Sequence, residues 1–538
     1  MPRNTGRFVP EPSVINMKLF SMFLLLGLPL FVVAQSSDVP AKLKWGKEFK
    51  EPGSSYLSQV IHTGTNGIYA VREKRNGMLS QANAIYLERF NEDFNLERSQ
   101  EISLKHKGKM RDFETVFHLN DAFFFFTSFY NQAHENRYLF VQQIDPNRLV
   151  PSKDLTKIAE SPGKGKELDR GFDFRFSPDS TKVLIYNQLP QKRQEPERFH
   201  LRVFDDALNL IWTREVQMPY RDDAFSVEEY RVNENGDVYL LGVLFKDGSR
   251  VRRDGKPTYE YIMLVYEQGE QTARQVEIDP GDYFITDLTF RVNRNGDVIC
   301  AGFYSLKDTY SIKGVCYFRL DAENYDVIQS DIEPFDFEFL TEFLSDRKAE
   351  KASRSPDEKL SLYQYGLDHL ILRSDGGAIL VAEQFYTRTV VNYDYRGMTN
   401  TRVFYYYNDM VVVNISPQGT IEWATRIPKR QVTSEDGGYY SSYSMAVVRD
   451  HLYFVFNDNP RNFEGDRSPN ELHNFGTGRS VIALADVSIE GELKIYPLQA
   501  NSETNVISRP KMCKQTGSRE MVIYGERNRL YRFAKLSF

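Results

Sequence analysis

The side chains able to do chemistry are mainly arginines, tyrosines and acids, and they lie in short groups far apart in the chain. Arg111 closes a basic stretch with Lys105, Lys107 and Lys109, and Arg252 and Arg253 follow Arg250. Tyr393, Tyr395 and Arg396 stand together, as do Arg461 and Asn462. Tyrosine offers a flat apolar ring with a hydrogen-bonding tip, and arginine a planar fork that matches a carboxylate. This pairing suits glycans, peptides or acidic protein segments. Arg111, Arg252, Arg253, Tyr393, Tyr395, Arg396, Arg461 and Asn462 are therefore the candidate ligand contacts.

Acids form a second set, Glu114, Asp173, Glu228, Asp287 and Asp368. A ring of carboxylates can hold a cation, but such acids more often pair with arginines, here Arg175, Arg231 and Arg291. No metal or cofactor is expected. No GxSxG elbow, HExxH pair, CxxC pair or phosphate loop occurs. The acids lack a diagnostic spacing, and His118 and His369 read as structural. No catalytic residue is named.

The elements that must position these residues follow a repeat. From Phe225 the chain reads FSVEEYRVN, a turn at ENG, DVYLLGVLF, a polar loop, YEYIMLVYE, a turn at QGEQ and TARQVEID. The next stretch repeats it: FITDLTFRVN, RNG, DVICAGFYS, a loop, IKGVCYFRL, DAEN and YDVIQSDI. Four strands joined as a meander, with a period of roughly 55–60 residues, predict a β-propeller. Eight four-stranded blades are expected, seven being the alternative. The last blade has only three strands of its own; the isolated strand KLKWGKEFK, around Trp45, resembles the outermost strands at Trp212 and Trp423 and is expected to complete it. Such closure leaves no open edge. An outer-membrane barrel would alternate apolar and polar residues. The continuous runs AFFFFTSF, VYLLGVLF and AILVA instead call for strands buried on both faces.

In such a fold the first-to-second and third-to-fourth connections share one face. Here they are short, NENG, RNG, SDGG, PQG and EGE, and read as tight turns rather than ion or phosphate loops. The other face collects the long inserts, at about 335–359, 387–402 and 459–478 together with 246–257, and is the expected binding face. The five acids fall on the innermost strands and are expected to face a central channel.

The chain has 538 residues, a net charge of −6 and 14 % aromatic residues. That mild charge, without a basic stripe, gives no reason to expect nucleic acid as a partner. Residues 17–34 pair a basic start with a short apolar run and small residues before Gln35, the pattern of a signal peptide. Residues 1–16 then form an upstream extension, and 35–538 a single exported domain, periplasmic or at the cell surface, with no later transmembrane helix. Cys300 and Cys316 are placed opposite each other across a hairpin, so a disulfide is within reach, against the plainer reading of two buried thiols. Cys513 is read as a buried thiol.

FSPDSTKVLIY (Phe176 to Tyr186) resembles the hairpin of TolB-like propeller repeats, and NENGDVYLLG and NRNGDVICAG resemble hairpins of secreted bacterial propellers. The resemblance covers hairpins only and implies fold, not function. The sialidase Asp-box, the WD40 GH…WD pattern, kelch glycine pairs and the quinoprotein tryptophan motif are missing. The expectation is a binding or scaffold module for an envelope protein or glycan, of unspecified oligomeric state. The alternative is a hydrolase or lyase acting on extracellular glycan at the channel mouth.

Overall fold

A computed structural model describes residues 39–538, apart from 54, 63–66, 76–81, 164–170, 191–194, 222, 247–251, 254–255, 355–359, 394–398 and 466–467. The proposed extension and signal peptide lie outside the described residues. The chain is all-β and almost wholly antiparallel. Its principal sheets, numbered 1 to 8 here, span residues 55–103, 112–162, 173–221, 225–278, 284–334, 365–434, 443–500 and 507–537. Sheets 1 to 7 are each a meander of four strands in sequence order, with short extra strands on some. Sheet 8 takes its outermost strand from Lys42–Trp45, which pairs with Leu530–Ser537 in the register Lys42 with Ser537 to Trp45 with Ala534.

Apolar clusters form between sheets rather than within them. Sheets 1 and 2 share Val71, Leu87, Val116 and Phe125, and sheets 4 and 5 share Leu241, Met263, Phe290 and Cys300. The other successive pairs share clusters in the same way. Sheet 8 also packs on sheet 1, through Tyr524, Tyr531 and Phe533 against Ala70 and Phe90. Continuous apolar runs arise because each inner strand is buried on both faces.

The short turns repeat one geometry. At residues 233–237, 293–297, 373–377, 416–420 and 488–492, the first N–H bonds the fifth carbonyl, and the fourth residue, a glycine, returns its N–H to the first carbonyl. These glycines have φ between 84° and 97°, which side chains other than glycine rarely adopt. Gly491 also needs its bareness, since a Cβ would lie 2.7 Å from the Trp423 ring. Tryptophans of the outer strands tie sheets together: Trp212 Nε1 donates to Gly236 O at 3.0 Å and Trp423 Nε1 to Ile489 O at 2.7 Å.

The insert after sheet 5 forms the helices Phe337–Thr341 and Asp346–Ser353. Asp336 caps the first by accepting from Phe339 N, and Phe339 and Leu340 enter the apolar cluster of sheets 5 and 6. It is thus a docked element rather than a free loop. No helix among the described residues is long and apolar enough to cross a membrane.

The cysteine reading needs correction. Cys300 pairs with Phe318, and Cys316 with Gly302, so the two are offset by two residues rather than opposed. Both are free, fully buried thiols whose pKa is pushed up by burial.

Sheets 1 and 8 meet around Arg72, which is fully buried. Its Nε donates to Glu88 at 2.8 Å, one Nη donates to the Tyr524 hydroxyl at 3.2 Å, and the guanidinium lies 3.8 Å from the centre of the Tyr531 ring. Replacing Arg72 by methionine strands the Glu88 carboxylate. It is expected to cost about 3–5 kcal/mol of unfolding free energy, read from urea denaturation. Adding Glu88→Gln should recover part of that loss, and no recovery would mean that the two do not act as a pair.

Candidate functional site

The five sequence-selected acids sit on inner strands, and a backbone irregularity presents three of them. The innermost strands of sheets 1, 2, 4, 5 and 6 carry a bulge at the same place, where the register skips Ser58, Glu114, Glu228, Thr286 and Asp368. A bulged residue leaves the ladder and its side chain is re-aimed. The Ser58 and Thr286 hydroxyls turn back to the Val71 and Phe303 carbonyls, at 3.1 and 3.2 Å. Glu228 and Asp368 are exposed, as is Asp173, which lies within hydrogen-bonding reach of the Tyr230 hydroxyl. Glu114 is more enclosed, 3.9 Å from Arg137, and burial raises its pKa.

Sheets 4, 5 and 6 bring their acids within electrostatic range. Asp287 accepts from Leu367 N at 2.8 Å, and its pKa is raised to about 6 by burial and then by the neighbouring Glu228. Asp368 accepts from the Tyr443 hydroxyl at 2.8 Å. Although open on one side, it is walled by protein on the others, and this burial, followed by Glu383 charge, raises its pKa to about 6. The arginines expected to answer this set choose another acid: Arg231 and Arg291 both pair with Glu229, the second at 3.5 Å. Among the described residues no group of His, Cys, Asp or Glu is disposed to hold a metal ion.

Beside Asp368, toward the long-insert end, lies a network that motif reading missed. The Lys429 ammonium donates to Glu383 at 2.6 Å, Tyr407 O at 2.8 Å and Gln431 Oε1 at 3.2 Å. Ser442 Oγ donates to the other Glu383 oxygen at 2.7 Å. Gln431 bonds Asn457 O and Ser442 N, and Asn457 reaches Tyr440 O and Ser508 O. Asp458, 3 % exposed, accepts from Asn459 N and Asn462 Nδ2, and burial lifts its pKa to about 6. The signal was present as charges inside apolar strand runs, Glu383 in AILVAEQF and Asp458 in YFVFND. Asn457 Oδ1 is buried with no hydrogen-bond partner among the described residues, but the other bonds of the network join the ends of sheets 6, 7 and 8.

The candidate ligand contacts fare unevenly. Arg111 is turned inward, bonded to Thr127 Oγ1 at 2.8 Å and Gln142 Oε1 at 2.9 Å. Asn462 organises its own loop, exchanging hydrogen bonds with His473 and donating to Asp458. Arg461 lies on the short turn Pro460–Phe463 at the surface. Arg252 and Arg253 have strand backbone paired with Pro257 and Lys256, and Tyr393 ends a strand. Tyr395 and Arg396 lie outside the described residues. The third insert is laced to sheet 6, as Asn474 bonds both the N–H and the carbonyl of Val432.

The second and third strands of sheet 6, Ala378–Tyr393 and Thr399–Ile415, run far past the sheet as a hairpin. Tyr386 stacks on Tyr406 at 4.3 Å, and Phe385 leans on Tyr407 at 4.6 Å. Exposed Tyr310, Tyr363 and Phe385 lie at its base. Gln364 joins the three in the backbone, its N–H donating to Tyr310 O and its carbonyl accepting from Phe385 N.

No protein-family model matches the chain, and no curated protein matches it. Among solved structures it is similar to the WD40 domain of SCAP from fission yeast, at 7 % identity over 92 % of this chain and 98 % of that one, with a TM-score of 0.37. It is similar to an apocarotenoid oxygenase of Synechocystis, at 10 % identity over 86 % and 95 % of the two chains, TM-score 0.35. Prolyl oligopeptidase B of Galerina marginata is similar at 11 % identity over 88 % and 55 %, TM-score 0.36. Likeness at this level transfers no residue and no activity.

Asp458 gives a pH test. Its folded pKa lies above the unfolded value, so the folded form binds the extra proton and stability falls as pH rises from about 4 to 6. Asp458→Asn keeps an acceptor and removes the charge. It should be more stable than wild type at pH 7 by on the order of 1–3 kcal/mol, with the difference vanishing near pH 4, measured by urea unfolding at both pH values.

Proposed function

We propose that the chain is an exported eight-bladed β-propeller, closed by the Lys42–Trp45 strand, which binds an envelope protein or glycan through its long-insert face. The eightfold succession of meanders supports the blade count, as does the packing of sheet 8 on both sheet 7 and sheet 1. Export rests on the pattern of residues 17–34. Residues 35–538 form one domain in this reading.

The observation that carries the binding reading is the contrast between the two faces. Five turns on one face close on themselves through identical backbone bonds. The opposite face carries the extended hairpin, the laced insert of 459–478 and exposed aromatics such as Tyr310, 72 % exposed. Recognition concentrates on protruding elements held by a rigid scaffold.

A second reading, a glycan hydrolase or lyase at the channel mouth, draws support from Asp287 and Asp368. Carboxyls raised to about 6 can exchange a proton near neutral pH. Asp368→Asn should abolish depolymerisation of envelope polysaccharide in that reading and leave retention unchanged in the first.

The main test is an affinity pull-down from envelope extract with the chain from Gln35 onward. A variant replaces residues 388–404 by an Asn-Gly turn, joining Thr387 to its partner Tyr405. One partner retained by wild type and lost by the variant is the expected result. Retention indifferent to the hairpin would place recognition elsewhere.

A further inference from the structure

The extended hairpin of sheet 6 has an unpaired edge whose direction is fixed by the hydrogen bonds at its base. The strand Ala378–Tyr393 pairs with Tyr365–Leu372 only as far as Gln384, while on its other side it pairs with the returning strand out to Tyr393. Phe385 N donates to Gln364 O at 3.0 Å, so Phe385 faces the inner-strand side. Backbone direction alternates along a strand. The N–H and C=O groups of Thr387, Thr389 and Val391 therefore face that same side, where no strand among the described residues pairs with them. The opposite edge agrees: Val403, the partner of Thr389, gives its carbonyl outward to Glu435 N at 3.0 Å.

The side chains add a charge preference. Tyr386, Arg388 and Val390 share one face of the hairpin with their partners Tyr406, Phe404 and Arg402. Arg388 and Arg402 are exposed and make no ion pair among the described residues. Arg430, also exposed, acts electrostatically on Tyr386 from the adjoining chain. Residues 385–392 and 399–408 contain no acid, and the tip, 394–398, adds one Asp and one Arg. On the far edge Glu435 is engaged with Val403 N. A local cationic surface on a chain of net charge −6 stands out against the remainder.

Resting on the binding reading above, we propose that this edge is a strand-addition site for an extended acidic polypeptide segment. The segment would bond to the outward groups of Thr387, Thr389 and Val391 and place carboxylates over Arg388 and Arg402. Open edges accept a further strand through main-chain bonds, with alternate side chains setting preference. A stretch rich in β-branched residues, TRTVV, is suited to such pairing.

The test uses the chain from Gln35 and a labelled peptide of roughly ten residues alternating Glu with Val or Thr, followed by fluorescence anisotropy. Thr389→Pro removes an outward donor and leaves the hairpin's internal bonds intact, because Thr389 bonds outward. It should weaken binding roughly tenfold or more, with an unchanged circular dichroism spectrum. The double variant Arg388→Glu, Arg402→Glu should weaken it comparably, and a peptide with Lys for Glu should not bind. Loss with the charge reversals but not with Thr389→Pro would overturn strand addition. So would a concentration-dependent dimer of the protein abolished by Thr389→Pro, which would make a second copy the occupant. Absence of peptide binding, with the envelope partner still lost on shortening the hairpin, would overturn this proposal and leave the broader binding reading standing.

Discussion

Arg72 carries a fully buried charge between the first and last sheets of the chain. Burial works against that charge, and Tyr524 and Glu88 outweigh burial, so its pKa is raised. The same group organises its surroundings. Tyr531 donates to Glu88, Tyr524 to Glu526 at 2.6 Å, and Arg509 to Glu526 at 3.0 Å. The Arg509 guanidinium lies over the Tyr439 ring, 4.0 Å from its centre. The other sheets follow one another directly along the chain; at this seam the link is the N-terminal segment, which pairs with Leu530–Ser537 of sheet 8 through Lys42–Trp45 and Phe49–Lys50 before entering sheet 1 at Ser55. Apolar contact is permissive of sliding, whereas a buried cation with fixed partners admits few arrangements.

The seam and the Lys429 network do related work. Lys429, Glu383, Gln431, Ser442 and Asn457 join sheets 6, 7 and 8 where their strands end. Glu51, from the chain after Lys50, has its pKa raised by burial and by Glu526, so the N-terminal segment is tied into the Arg72 cluster as well. Two buried polar clusters thus bridge sheets, one joining 8 to 1 and one joining 6, 7 and 8, and their directional bonds restrict packings that apolar cores alone would accept. That rigidity is what allows a hairpin and a laced insert to project from one end with defined geometry.

The inner-strand bulges explain how Glu114, Glu228 and Asp368 are presented. Each bulge inserts one residue at the same level of its sheet, and the residue inserted is Ser, Glu, Glu, Thr or Asp. Where it is Ser or Thr, the hydroxyl returns to a local carbonyl. A carboxylate cannot donate such a bond and turns toward solvent or a neighbour. Asp368 is such a bulged residue, whereas Asp287 follows the bulged Thr286 and stays in the ladder opposite Phe303; burial is the main cause of the raised pKa in both.

Much of the architecture was legible from residue order alone. Strand-like, often continuously apolar runs bounded by short glycine-containing turns determined the meanders, since a turn's backbone demands are local. The isolated Trp45 strand was legible because it matched the Trp212 and Trp423 strands. Side-chain destinations were decided by tertiary pairing. A bulge sets whether Glu228 or Glu229 meets Arg231, a two-residue offset parts Cys300 from Cys316, and Arg111 turns inward because Thr127 and Gln142 of the neighbouring strands offer it acceptors. Repeat and turn are encoded over a few consecutive residues. Register, bulge and burial of a charge depend on partners tens or hundreds of residues away, as Arg72 and Tyr524 are, and no local pattern carries that information.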